Sequence, residues 1–182
     1  MKSHQNHNGC GLYQVRIYGD PVLRQKARRV EQIDEILSRL AEDMFRTMRE
    51  SQGVGLAAPQ VGQSIALAVL DPRPLQEDTE PLVVINPKIV AERGECGFEE
   101  GCLSIPDLRM DVVRPEFIVV EGLDLNGNPF CIETGGIVAR ILQHEIDHLN
   151  GTLFVDRLGT VQRQLIEAHL QEIERAWRHE GE

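Results

Sequence analysis

Apolar residues recur along this chain at two spacings, and the spacings divide it into elements. Ile33, Ile36, Leu37, Leu40, Met44, Phe45 and Met48 return every three to four residues, which predicts an amphipathic helix of four to five turns ending before Gly53. Asp34 and Glu35 stand at its start, where the positive end of the helix dipole favours carboxylates. Ile137, Val138, Ile141 and Leu142 mark a second helix, with Gly135-Gly136 before it and Asn150-Gly151 after it as breakers. Val161, Leu165, His169, Leu170, Ile173 and Trp177 mark a third, C-terminal helix with a charged outer face, and His169 is expected to pack on its apolar stripe.

Between the helices, residues 12–18, 65–70, 82–85, 88–92, 117–124 and 130–133 read as strands, with 153–155 as a further short one. Asn126-Gly127-Asn128 is a hairpin signal between the fifth and sixth of these. Strand runs with scattered helices, lacking a regular strand–helix–strand alternation, predict an α+β fold. No internal repeat or second boundary is visible. One domain over residues 12–182 is expected, preceded by a polar, mobile tail over residues 1–11. Residues 53–62, Gly53-Val54-Gly55-Leu56-Ala57-Ala58-Pro59-Gln60-Val61-Gly62, are small enough to let another backbone approach closely. No Lys-Ser/Thr follows, so this is not a phosphate loop. It reads as a tight turn against the core or as a backbone edge and a Gln60 amide presented to a ligand.

Composition narrows the function classes. The 182 residues carry a net charge of −10, which argues against binding to nucleic-acid backbone and leaves DNA out as a partner. Aromatic content of 4% gives no base-stacking surface. No run approaches the ~20 apolar residues of a membrane span. The N-terminal residues lack the apolar core of a secretory signal, so a cytoplasmic protein is expected. Cys10, Cys96, Cys102 and Cys131 are then expected as reduced thiols.

The densest chemistry lies in Gln143-His144-Glu145-Ile146-Asp147-His148-Leu149. On a helix, His144 and His148 stand one turn apart on one face and can grip one metal ion. Glu145 then projects beside the ion as a general base, and Asp147 reads as an acid supporting the helix or the ligands. A catalytic centre needs a third ligand and an open position. Position 154 is Phe, so the metzincin extension fails; Glu167 lies on the C-terminal helix, which disfavours a thermolysin-like site. Upstream, Glu99-Glu100-Gly101-Cys102-Leu103-Ser104-Ile105-Pro106 offers Cys102 in a loop, with Cys96 and Cys131 as rivals. Arg109 and Arg114 follow that loop, either meeting a ligand or as solvated surface charges.

Three ordered blocks together resemble the peptide deformylase family: Gly53-Val54-Gly55-Leu56-Ala57-Ala58-Pro59-Gln60, Glu100-Gly101-Cys102-Leu103-Ser104, and Gln143 to Leu149. The opening around Asp20-Pro21-Val22-Leu23-Arg24 is also similar, so the resemblance covers about residues 15–157. It implies antiparallel sheets surrounding the HExxH helix, with Cys102, His144 and His148 as metal ligands and Glu145 as the base. It implies Gln60 and the Leu103 N–H as oxyanion donors, and a methionine pocket near Val54, Gly55, Phe98, Ile137 and Ile141. The metal implied is Fe(II), with zinc, nickel or cobalt able to replace it. The substrates implied are formyl-methionyl nascent peptides, with transient ribosome association. Two other readings stand beside this one: a general HExxH metallopeptidase, and a non-catalytic protein whose structural metal is closed by a fourth ligand such as Cys96 or Cys131.

Overall fold

Short turns join most neighbouring strands, and every strand pairing among the described residues is antiparallel. The structure, a computed structural model, describes residues 7–8 and 12–180. In chain order, β1 (His7–Asn8) and β2 (Leu12–Tyr13) form a small pair ahead of helix α1 (Glu35–Glu50). Then come β3 (Gly55–Ala57), β4 (Leu67–Leu70) and β5 (Leu82–Arg93), followed by a long separate hairpin of β6 (Cys96–Cys102) and β7 (Ile105–Arg114). A second hairpin, β8 (Phe117–Leu123) and β9 (Pro129–Gly135), leads into α2 (Gly136–Leu149), and α3 (Thr160–Glu180) ends the described chain. The main sheet runs β3-β4-β5-β8-β9, so β3 is an edge strand.

Side-chain alternation along β4 shows why this sheet lies between two helices. Leu67 and Val69 pack with Leu37, Ala41, Met44 and Met48 of α1, whereas Ala68 and Leu70 pack with Ala139, Leu142, Ile146 and Leu149 of α2. A third cluster joins Ile105 and Val112 of β7 to Leu153, Phe154 and to Ile166, Leu170 and Ile173 of α3. The HExxH helix α2 is therefore enclosed by the main sheet and the β6–β7 hairpin, as expected of the α+β arrangement. Gly151, at φ +73°, turns the chain out of α2 where a Cβ would lie 2.7 Å from the Arg24 carbonyl oxygen.

Several sequence expectations are corrected. The expected strand at 12–18 stops at Tyr13, because Arg16 N–H donates to the Gln60 carbonyl and Tyr18 N–H to the Ser104 carbonyl instead of to a ladder. The two strands expected at 82–85 and 88–92 are one strand, β5, with its register shifted twice. Asn86 sits in the first of these irregularities at φ +52°, its side chain bonding the Val30 backbone at 2.8 and 2.9 Å. The short strand expected at 153–155 belongs to a 3-10 turn, Phe154–Arg157, in which Asp156 accepts from the Leu153 N–H at 2.7 Å. Cys102 ends a strand rather than lying in a loop. On α3 the buried stripe is Ile166, Leu170 and Ile173; Val161 and Leu165 are 72% and 75% exposed. His169 is half-buried and hydrogen-bonds the Pro106 carbonyl at 3.0 Å rather than packing in the core. The tail over residues 1–11 lies outside the described residues apart from β1.

The loop from β4 to β5 begins with a buried anchor. The Asp71 N–H donates to the Val54 carbonyl at 2.8 Å. Its carboxylate accepts two bonds from Arg73, both at 2.7 Å, and two from Arg49, at 3.0 and 3.2 Å. The Arg73 bonds outweigh burial, Arg49 adds to them, and the carboxyl is held down at about 2. A carboxyl lowered in the folded state contributes stability that is complete above about pH 4 and fades as pH falls through about 2. The urea midpoints of wild type and Asp71→Asn should therefore differ most near neutrality and converge between about pH 4 and pH 2; a gap independent of pH contradicts this linkage. Leu142→Ala, at a wholly buried α2 position, should cost about 2–5 kcal/mol in urea unfolding. A loss below about 1 kcal/mol would show that α2 is not the packed centre described.

Candidate metal centre

Helical spacing places the His144 and His148 rings 5.0 Å apart on the face of α2 that meets the end of β6. There the Cys102 Sγ lies 3.1 Å from His148 Nε2, and a ligand atom from each of Cys102, His144 and His148 lies within 4.8 Å of the others. These three form the one such His/Cys/Asp/Glu group among the described residues. Cys96 and Cys131, the sequence-level rivals, are exposed free thiols outside it, so neither closes the site as a fourth ligand.

A buried ion cluster joins the hairpin to the helix. Arg114, 2% exposed, donates to both Glu100 oxygens at 2.6 and 2.9 Å and to Asp147 at 2.6 Å. Arg140 adds a bond to Glu100 at 3.0 Å, and Arg157 caps Asp147 from outside. This corrects the view of Arg114 as a ligand contact or surface charge; Asp147 has the supporting place expected of it. The other Glu100 contact is His144 Nδ1, at 3.0 Å. With Nδ1–H committed to a carboxylate, Nε2 is the nitrogen left to face Cys102. Burial pushes the Glu100 carboxyl up, but His144 and Arg114 outweigh it and hold it down at about 2.

The donor set fits a divalent ion. Burial and the charges of His144, Arg114 and Arg24 push His148 well below the ordinary imidazole range, so it is the neutral donor a ligand must be. Burial also opposes charge on His144, yet Cys102 and Glu100 raise it well above that range. A cation bound between the sulfur and the rings would take the place of that proton, since a ligating imidazole must be neutral.

Glu145 sits beside this group, 3% exposed, and its Oε2 has no hydrogen-bond partner among the described residues. Burial drives its pKa up, only partly opposed by the charges of His144 and Arg114, to about 7. Gly55 makes this placement possible: a Cβ there would lie 2.3 Å from Glu145 Oε1 and 2.8 Å from Ile141 Cγ2. The glycine thus serves the carboxylate at its back, a reason that small-residue density alone does not disclose.

Gln60, 2% exposed, accepts the Ala57 N–H on Oε1 at 2.8 Å. Its Nε2 therefore faces Ser104 Oγ at 3.1 Å and Cys102 Sγ at 3.6 Å. Leu103 and Ser104 form the two-residue link between β6 and β7. Gln60, Cys102, Leu103, His144 and Glu145 line one cavity of about 810 Å³, together with Val54, Gly55, Phe98, Ile137 and Ile141. Phe98 stands at its rim, half exposed, with Arg140 over its ring. Sequence reasoning left Glu100, Ser104 and Arg140 without roles; the first two stand in the same short block as Cys102, which is the signal that was available.

Comparison with known proteins bears on the family and the fold. The family model described as Polypeptide deformylase matches residues 12–164. The peptide deformylase of Chlorobium luteolum is 48% identical over 161 residues, covering 87% of this chain and 85% of its own. That of Syntrophobacter fumaroxidans is 49% identical over 154 residues, covering 85% and 91%. Among solved structures, a peptide deformylase from Legionella pneumophila superposes with a TM-score of 0.82 at 45% identity, covering 91% of this chain and 96% of that one. One from Synechococcus elongatus in complex with actinonin gives 0.79 at 44% identity, covering 88% and 85%.

Replacing Arg114 by leucine would leave Glu100 and Asp147 buried without their shared partner. The expected loss is up to about 3–5 kcal/mol in urea unfolding, the cost of breaking a buried pair, because Arg140 and Arg157 replace only part of what Arg114 gives the two carboxylates. A loss under about 1 kcal/mol would show that the cluster does not hold the hairpin to the helix.

Proposed function

We propose, for a chain that belongs to the polypeptide deformylase family, that Cys102, His144 and His148 hold one divalent metal ion and that Glu145 moves the protons of deformylation. The enzyme removes the formyl group from the N-terminus of newly made polypeptides, releasing formate and a free amine. The observation that carries the residue assignment is the convergence of one thiol and two imidazoles beside a buried carboxylate whose Oε2 has no hydrogen-bond partner among the described residues.

When bound, the ion supplies the Lewis acidity that makes water a nucleophile near neutral pH and polarises the formyl carbonyl. The chain's own groups do the rest. Burial raises the Glu145 carboxyl above the ordinary carboxylate range, which suits it to taking a proton from the attacking water and returning it to the departing amine. The Leu103 N–H and the Gln60 amide donate to the formyl oxygen as it gains charge. Ala57 and Ser104 hold that amide at its two ends, so it needs no reorientation during the reaction. The peptide adds to the open edge of β3, where Gly53, Val54 and Gly55 line the cavity. Backbone pairing of this kind accepts many sequences, as an enzyme acting on many nascent chains requires. Ile137 and Ile141, with Val54, Gly55 and Phe98, receive the methionine side chain.

Iron(II) is the natural ion in this reading; zinc, nickel and cobalt suit the same donors, since a Cys-His-His set does not by itself select iron. Nascent chains place the enzyme in the cytoplasm, in transient contact with ribosomes. No described helix is long and apolar enough to cross a membrane.

Formate release from a formyl-Met-Ala-Ser peptide, with the acetyl analogue as control, tests the reading. The formyl peptide alone should turn over, and Glu145→Ala should lower kcat by about 10²-fold or more while metal content stays unchanged. Equal hydrolysis of the acetyl peptide, or wild-type turnover by Glu145→Ala, would refute it.

A further inference from the structure

The cavity reaches beyond the residues used so far. Leu75, from the loop after β4, also lines it, as do Leu108 and Arg109 of β7. A lone exposed leucine is ordinary on a protein surface, and Leu75 is 58% exposed. Its setting is not ordinary. The other residues of this loop, 71–81, are Asp, Pro, Arg, Gln, Glu and Thr, so Leu75 is its one large apolar side chain.

The loop is also braced. Asp71 ties its start to Val54, Arg49 and Arg73, and the N–H groups of Leu75 and Gln76 both donate to the Pro72 carbonyl, at 2.8 and 2.9 Å. Leu75 is thus carried on a turn anchored to the residue that precedes β3. Leu108 is held from a different direction. The β6–β7 register jumps from Gly101↔Arg109 to Cys102↔Ile105, which leaves Pro106, Asp107 and Leu108 outside the ladder. Asp107 takes φ +59° in this bulge, and α3 secures it through the His169 bond to the Pro106 carbonyl. Two restrained leucines from separate elements line the cavity that begins at the metal centre.

We propose, resting on the deformylase reading above, that Leu75 and Leu108 grip a side chain downstream of the formyl-methionine and give this enzyme a preference for a large apolar residue there. An added strand turns successive side chains to opposite faces. The preference therefore belongs to position two or position three of the peptide, and not to both.

The test compares kcat/KM for formyl-Met-Xaa-Yaa peptides carrying leucine, glycine or glutamate at position two or three, in wild type, Leu75→Ala and Leu75→Glu. Wild type should favour leucine over glycine by about 5–10-fold at one of the two positions, the scale set by partial burial of a leucine side chain. Leu75→Ala should bring that ratio to within about twofold, and Leu75→Glu should take it no higher. Each ratio is internal to one enzyme, so a general loss of activity cancels. Equal use of leucine and glycine by wild type, or a preference that survives in both variants, overturns the proposal. Absence of formate from every peptide with metal-loaded wild type would instead refute the deformylase reading itself.

Discussion

The ion cluster of Arg114, Glu100 and Asp147 is the constraint on which the rest of this structure turns. It lies between two elements that do not share a sheet: the β6–β7 hairpin, which carries Cys102, and α2, which carries His144 and His148. Buried ion pairs seldom add much net stability, because desolvation consumes most of the attraction. Their geometry is demanding, however, and here it sets position. Glu100 stands two residues before Cys102 and holds His144 Nδ1, while Asp147 stands next to His148. One guanidinium therefore indexes the strand that bears the sulfur against the helix that bears the imidazoles.

Around that junction the fold supplies enclosure and one opening. The sheet and α1 bury one side, α2 fills the centre, and α3 with the Phe154 turn backs the hairpin. Burial raises the Glu145 carboxyl toward neutrality, and the bare Cα of Gly55 lets that carboxylate approach an edge strand. The same glycine-containing strand lies at an open edge of the main sheet. A small residue is required at position 55 because a Cβ there would meet the carboxylate packed directly behind the strand.

Much of this was legible in the residues. Helical spacing located α1 and α2 to within a few positions, and Asn126-Gly127-Asn128 located the β8–β9 hairpin. The HExxH pattern fixed the two imidazoles because i and i+4 share a helix face whatever the tertiary fold. The thiol was different: three cysteines competed on spacing, and only pairing between distant segments decides which approaches α2. The β6–β7 hairpin escaped notice because its glycines, charged residues and exposed Phe98 and Val113 blur the alternation that marks a half-buried strand. Arg114 read as a ligand contact or a surface charge for the same reason. An arginine becomes a core residue only when two carboxylates arrive from elsewhere in the chain. On α3, Val161 and Leu165 fit a helical period but belong to the outward face, since spacing gives a stripe and tertiary contact chooses which one is buried.

Metal K-edge X-ray absorption on the metal-loaded protein, beside its Cys102→Ser variant, probes this centre without intermediaries. One sulfur and two imidazole nitrogens should surround the ion in wild type, and the sulfur contribution should vanish in the variant. A second sulfur in wild type, or a sulfur signal that survives Cys102→Ser, would contradict the centre described here.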